Sequence, residues 1–115
     1  SGKKGKVTVA GSSSVTPVME KLAESYQTLN PQVKIEIQMS DSTTGVNSAI
    51  NGICDIGMAS RALKDSETAK GVNGTKIAID GIAVIVNNNN PISNVKATSI
   101  RNIYTGVITT WGEVN

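Results

Sequence analysis

Residues 11–17, Gly-Ser-Ser-Ser-Val-Thr-Pro, constrain this chain more than any other segment. They join a strand-like run, Lys6-Val7-Thr8-Val9-Ala10, to a strongly amphipathic stretch. A strand that enters a helix through a glycine- and hydroxyl-rich turn aims backbone N–H groups and hydroxyls at one spot, where the helix dipole favours an anion. The turn contains no Lys or Arg, so an anion held there is held by neutral donors. That arrangement suits capture of a small oxyanion rather than chemistry on it.

The rest of the chain reads as alternating strands and helices. Val15 to Leu29 puts Val15, Val18, Met19, Leu22, Ala23, Tyr26 and Leu29 on one helical stripe. Pro17 suits the first turn, with Thr16 or Ser14 as cap, and Asn30-Pro31 stops the helix. Val33 to Met39 alternates strictly, as a strand with one wet face does. A second hydroxyl turn, Ser40-Asp41-Ser42-Thr43-Thr44-Gly45, precedes a short helix with Val46, Ala49, Ile50 and Ile53 inward. Asp55 to Ala59 reads as a short buried strand ending at Ser60-Arg61. Leu63 to Gly71 reads as a polar surface helix or loop. Lys76 to Ile79 and Gly81 to Asn87 read as two more strands, the second apolar on both faces. Asn87 to Pro91 is a turn-forming break, and Ala97 to Gly106 suits a short helix capped by Thr98 or Ser99.

This alternation predicts an α/β fold. The composition agrees: with no Phe, one Trp and two Tyr in 115 residues, the core has to be built from Val, Ile, Ala, Leu and Met. In such sheets small ligands bind beyond the carboxyl ends of the strands. Ser13-Ser14, Ser42-Thr43 and Ser60-Arg61 each follow an expected strand, so all three are expected at one sheet edge. A hydroxyl turn alone is an ordinary helix cap; three at equivalent positions make a shared site.

Other chemistry is poorly served. The absence of His excludes a Ser-His-Asp triad, a Cys-His pair and most zinc sites, so no metal or other cofactor is expected. Cys54, between Ile53 and Ile56, reads as a small buried residue. A net charge of +2 without a basic run argues against nucleic acid. No apolar stretch reaches membrane-spanning length. Ser93-Asn94-Val95-Lys96 matches S-x-x-K and leaves a Ser/Lys-type hydrolase as the alternative from another class, although the helix such a nucleophile needs is missing there. Gly11-Ser12-Ser13-Ser14-Val15 misses the G-x-S-x-G elbow, and no G-K-[ST] follows Gly11.

Taken in order, Val7 to Val15 with Pro17, Ser42-Thr43-Thr44-Gly45-Val46, Asp55 to Arg61, Asp80 to Asn87 and Ile103 to Gly112 resemble one family. It is that of the phosphate-binding proteins of bacterial phosphate ABC transporters, which have the type 2 periplasmic-binding-protein fold. The resemblance implies a lobe with a mixed, mostly parallel sheet flanked by helices. Residues 1–86 would form the first lobe; 87–115 would form the crossover and the start of a second. It implies a non-enzymatic receptor, periplasmic or anchored as a lipoprotein outside the cell, that closes around inorganic phosphate and delivers it to a membrane permease.

By position, Ser13, Ser14 and the Val15 amide would be the helix-terminus contacts. Ser42, Thr43 and Ser60 would add hydroxyls, and Arg61 a charged fork. Each such bond to an anion is charge-assisted and worth roughly 1.5–3 kcal/mol. Some members carry Asp where Arg61 stands, to accept the phosphate proton; Asp41, Asp55 and Asp80 are the candidates here, each with a structural role open to it. Arg61 has the alternative of pairing with a surface carboxylate. Sulfate, molybdate or another oxyanion is the alternative ligand, and a sensor or adhesion lobe that no longer binds is a third reading. Members are more than twice as long, so the chain is expected to be one part of a longer protein. Its segment after Asn87 would then be free to swap into a second copy as a dimer.

Overall fold

In the first strand, burial rises steadily along the chain, from exposed Lys4 to fully buried Val9–Ser12. A computed structural model describes residues 3–114 and explains this gradient. The strand β1 (Lys4–Ser12) is the middle of a three-stranded sheet, flanked by β2 (Gln32–Ser40) and β3 (Ile56–Met58). Both pairings are parallel. β2 runs beside all of β1, whereas β3 pairs only with Val9–Gly11, so β1 is enclosed on both edges only at its carboxyl end. That end is where α/β sheets present ligands.

The chain divides into two units, Ser1–Ile77 and Ala78–Asn115. In the first, α1 (Thr16–Leu29) packs on β2, and α2 (Ser42–Ile50) packs on β1 and β3. The core is the expected aliphatic one: Val9, Val33, Val46 and Met58, with Ala10, Ala23 and the thiol of Cys54. Burial pushes that thiol's pKa up. β2 is an edge strand, and Gln27 on α1 accepts a hydrogen bond from the outward Ile35 N–H at 2.8 Å, blunting part of that edge. Lys6 reaches Glu36 across the β1–β2 pair at 3.1 Å.

A short α3 (Asp65–Thr68) ends the first unit's regular structure. The second unit holds α4 (Ala97–Tyr104) and a 3-10 turn, Trp111–Glu113. No helix among the described residues is long and apolar enough to cross a membrane.

Three expectations are corrected. The residues of the two strands expected over 76–79 and 81–87 have no ladder partner among the described residues. Ile79, Ile82 and Ile85 are 87%, 95% and 86% exposed. A run apolar on both faces needs a neighbour on each edge and cover on each face before it becomes a strand, and none is supplied. The α1 stripe is likewise only partly covered: Ala23 is buried, but Leu22 and Leu29 are exposed. An apolar groove of about 260 Å³ lies between Met19, Leu22 and Tyr26 of α1 and Val7, Ile35 and Ile56 of the sheet.

The third correction concerns caps. Val15, not Thr16 or Ser14, is the N-cap of α1 and makes no side-chain cap bond. The buried Thr16 hydroxyl instead donates back to the Ser12 carbonyl at 2.8 Å. Lys96 is the N-cap of α4, which puts Thr98 and Ser99 inside its first turn.

Two glycines fix how α2 meets the sheet. Gly11 has a φ of +134°, and a Cβ there would collide with the Met58 carbonyl oxygen. Gly45, in the first turn of α2, lies so close that a Cβ would be 2.6 Å from Gly11 Cα, 2.7 Å from the Met58 carbonyl oxygen and 2.8 Å from the Ala10 carbonyl oxygen. On an exposed helix Gly→Ala adds stability, by up to about 1 kcal/mol. Here the colliding atoms are all backbone, so Gly45→Ala should instead destabilise by roughly 3 kcal/mol. Urea denaturation checks the sign: a midpoint equal to or above that of the unmodified chain refutes the close approach.

Candidate anion-binding site

The close packing at Gly45 sets the first turn of α2 beside the carboxyl ends of β1 and β3, and all seven candidate residues lie on that turn or on the segments that leave those two strand ends. Ser42 opens α2, with Asp41 as its N-cap. The Asp41 carboxylate accepts the Thr44 N–H at 2.8 Å and the Thr44 hydroxyl at 2.8 Å. These bonds lower its pKa, the backbone one most. They also turn the carboxylate into a structural cap.

The Ser42 hydroxyl is directed across to the segment after β3. Its oxygen accepts the Ser60 N–H at 3.0 Å, and the two hydroxyl oxygens are 3.2 Å apart. Of their two hydrogens, one fills that contact and the other is free for an acceptor. One residue further along each segment, Arg61 donates to the Thr43 hydroxyl at 3.2 Å. The second and third hydroxyl turns are thus stitched together pairwise, Ser42 to Ser60 and Thr43 to Arg61.

Ser13 and Ser14 stand in the exposed turn between β1 and α1. Neither hydroxyl has a hydrogen-bond partner among the described residues. The Val15 N–H is directed at the Ser12 hydroxyl oxygen over a long 3.4 Å. Among the described residues no hydrogen bond links this turn to the Ser42–Ser60 pair. It shares their end of the sheet because Gly11, which pairs with Met58, is also the residue on which Gly45 packs.

Arg61 is not a free cation. Its guanidinium forks onto Glu67, Nη1 to Oε2 at 3.0 Å and Nη2 to Oε1 at 2.8 Å. Nη1 also donates to the Ala62 carbonyl at 3.1 Å. Glu67 additionally accepts the Lys64 N–H at 2.8 Å, closing the first turn of α3. The Glu67 side chain is only 9% exposed and that of Arg61 28%. The hydrogen bond from Arg61, with that from Lys64 N–H, holds the Glu67 pKa at about 2 rather than 4.5, and the same bond raises that of Arg61.

Sequence reasoning missed Glu67 because it occurs in a run of polar residues that reads as surface. The one available signal was its place three residues after Lys64, where a Glu can reach back to a helix-start N–H.

The remaining candidates fall elsewhere. Asp55 lies at the entry end of β3, where it accepts the Thr8 N–H at 2.8 Å and the Thr8 hydroxyl at 3.1 Å; the former chiefly lowers its pKa. It is therefore at the far end of that strand from Ser60. Asp80, in the second unit, accepts its neighbour's Gly81 N–H at 2.9 Å. Ser93 is exposed and lies in an irregular segment three residues before the N-cap Lys96, with no helix beneath it. Among the described residues no cluster of His, Cys, Asp or Glu could hold a metal.

The parallel sheet, its flanking helices and a hydroxyl-lined carboxyl edge define a lobe of the periplasmic-binding-protein kind. The chain belongs to the PBP superfamily: the model for the PBP superfamily domain matches residues 1–114. Among curated proteins it is 53% identical over 111 residues to phosphate-binding protein PstS 2 of Streptococcus agalactiae, covering 96% of this chain and 38% of that one. A phosphate-binding protein of a phosphate ABC transporter from Streptococcus pneumoniae matches with a TM-score of 0.89 and 42% identity, covering 98% of this chain and 44% of the other. A Clostridium perfringens protein assigned as a phosphate ABC transporter substrate-binding protein, solved with phosphate bound, matches with a TM-score of 0.83 and 45% identity over 96% and 46% of the two chains. This chain therefore spans less than half the length of the relatives it matches.

The depressed pKa of Glu67 has a consequence for acid stability. Its folded value lies below its unfolded one, so its contribution is complete above about pH 4.5 and fades as the pH falls towards 2. Glu67→Gln should lower the urea midpoint at neutral pH, and the gap to the unmodified chain should narrow steadily near pH 2. A gap of equal size at both pH values would mean the ionised pair contributes nothing.

Proposed function

We propose that this chain forms one wall of an oxyanion receptor, and that the anion is inorganic phosphate. The observation that carries the reading is the Ser42–Ser60 hydroxyl pair, joined at 3.2 Å at the carboxyl end of a parallel sheet. The phosphate named for the relatives, and bound in the Clostridium perfringens structure, supports the choice of ligand.

In this reading Ser42 and Ser60 rotate their hydroxyl hydrogens onto the anion. Ser13 and Ser14, which have no protein partner to give up, donate from the β1–α1 turn, and the Val15 N–H exchanges its long bond to Ser12 for the anion. Thr43 stands beside Arg61 as an outer donor. Arg61 acts mainly through its neighbours, since its fork is engaged by Glu67.

The complete protein would be a two-lobed receptor outside the cytoplasm, in the periplasm or anchored as a lipoprotein, which closes over phosphate and hands it to an ABC permease. Residues 1–86 would be its first lobe, and 87 onward the crossover. Exchange of the segment after Asn87 between copies, as a dimer, belongs to the same reading, supported by the exposure of Tyr104, Val107 and Trp111.

Calorimetric titration with phosphate tests the assignment. Ser42→Ala removes one charge-assisted donor and should weaken binding about 10- to 100-fold. Ser93→Ala should leave it unchanged. Equal affinity for Ser42→Ala and the unmodified chain sinks the site. Sulfate is the parallel titrant: Asp41 and Asp55 are bonded to Thr44 and Thr8, so a preference for phosphate of less than about tenfold is expected of this chain.

A further inference from the structure

Glu67 touches none of the candidate hydroxyls, yet it holds Arg61, through which the second and third hydroxyl turns are linked. Its carboxylate holds both terminal nitrogens of Arg61 and the Lys64 N–H. Arg61 in turn holds the Thr43 hydroxyl and the Ala62 carbonyl. With four of its five N–H groups engaged in this way, the guanidinium is set in one orientation. The segment from Ser60 to Glu67 is thereby tied to the first turn of α2 at two points, one through Ser42 and one through Thr43.

The second consequence is electrical. The charged groups bordering this part of the site are Asp41, Arg61, Lys64 and Glu67, and the pairing neutralises Arg61, the cation that reaches the second hydroxyl turn.

We propose that Glu67 is a positioning and charge-setting residue of the anion site. It locks Arg61 as a strut that fixes the Ser42–Ser60 donor pair, and it keeps the guanidinium from acting as an anion-attracting charge. The proposal rests on the oxyanion reading above, and it predicts opposite salt responses for the two halves of the pair. Glu67→Gln leaves a cation unbalanced, so phosphate binding should fall more steeply with salt than in the unmodified chain. Arg61→Gln leaves a carboxylate unbalanced, so binding should fall less steeply or rise. The double variant, Arg61→Gln with Glu67→Gln, restores neutrality and should return the salt response to that of the unmodified chain. At high salt, where charge is screened, Glu67→Gln should still bind phosphate about tenfold more weakly, because the donor pair is no longer held.

Amide hydrogen exchange without ligand provides the independent arm. The Ser60 and Lys64 N–H groups should exchange at least about tenfold faster in Glu67→Gln, and the Ser60 N–H should stay fast in Arg61→Gln and in the double variant, where the guanidinium strut is gone. Unchanged exchange at Ser60, or parallel salt responses in the two single variants, overturns the proposal. If Glu67→Gln does not fold, Arg61→Gln and the double variant still carry both arms. An unmodified chain that binds no phosphate overturns the oxyanion reading and the charge-setting role with it, while exchange at Ser60 still decides whether Glu67 is the strut. A purely structural role would speed exchange but leave the salt response untouched.

Discussion

The close approach of Gly45 to the backbone of Gly11 and Met58 is the contact on which the rest of the site depends. Each of the three hydroxyl turns is unremarkable by itself: a strand ends, a few small polar residues follow, and a helix or loop begins. They share one edge only because the first turn of α2 sits directly against the ends of β1 and β3, at a distance that excludes a single methyl group. Gly57 extends this packing on the β3 side, where a Cβ would be 2.6 Å from the Gly45 carbonyl oxygen. With the helix seated there, Ser42 reaches the Ser60 N–H and Thr43 reaches Arg61 without either side chain having to stretch. Side chains one residue larger along this seam would move α2 outward and separate those pairs before any donor was lost.

Electrostatics are handled in the same economical way. Three acids of the first unit, Asp41, Asp55 and Glu67, are each satisfied by a specific donor set: a helix-start N–H and hydroxyl, a strand N–H and hydroxyl, and a guanidinium fork. All three are held ionised by those bonds. The single cation among them is spent on the most buried of the three. What faces outward is a set of hydroxyls and amides, as the absence of Lys and Arg from residues 11–17 led one to expect.

Much of this was legible in the residues, because local rules decided it. The period-2 run of Val33 to Met39 became β2, and the hydroxyl turns after β1 and β2 stand at the carboxyl ends of their strands. The order of the alternating segments placed Ser42, Thr43, Ser60 and Arg61 together. Three things were not legible, for different reasons. Arg61 has equal claims to an anion and to a carboxylate, and only the fold of residues 62–67 brings Glu67 within 2.8 Å of it. The 76–87 segment has strand composition, but pairing is a property of neighbours rather than of composition. Its isoleucines remain exposed because nothing among the described residues supplies the other half of a ladder. The helix caps failed for a smaller reason: the Thr16 side chain turned back to the Ser12 carbonyl, a competition that residue type alone does not resolve.

Neutral donors also determine what kind of receptor such an edge can build. A free guanidinium attracts an anion from a distance and keeps part of that attraction in water, whatever covers the site. Hydroxyls and amides behave differently. Against an anion exposed to solvent each competes with water on nearly equal terms, and its net worth is small. Once water is excluded the same bonds strengthen steeply, because the surrounding dielectric falls and the anion has no other donors. In a receptor of the proposed kind affinity would therefore be controlled by coverage, and opening the cover would be enough to release the anion. Pairing Arg61 with Glu67 is consistent with that logic: an unpaired cation in this wall would hold the anion in the open state too and would blunt the difference between capture and release.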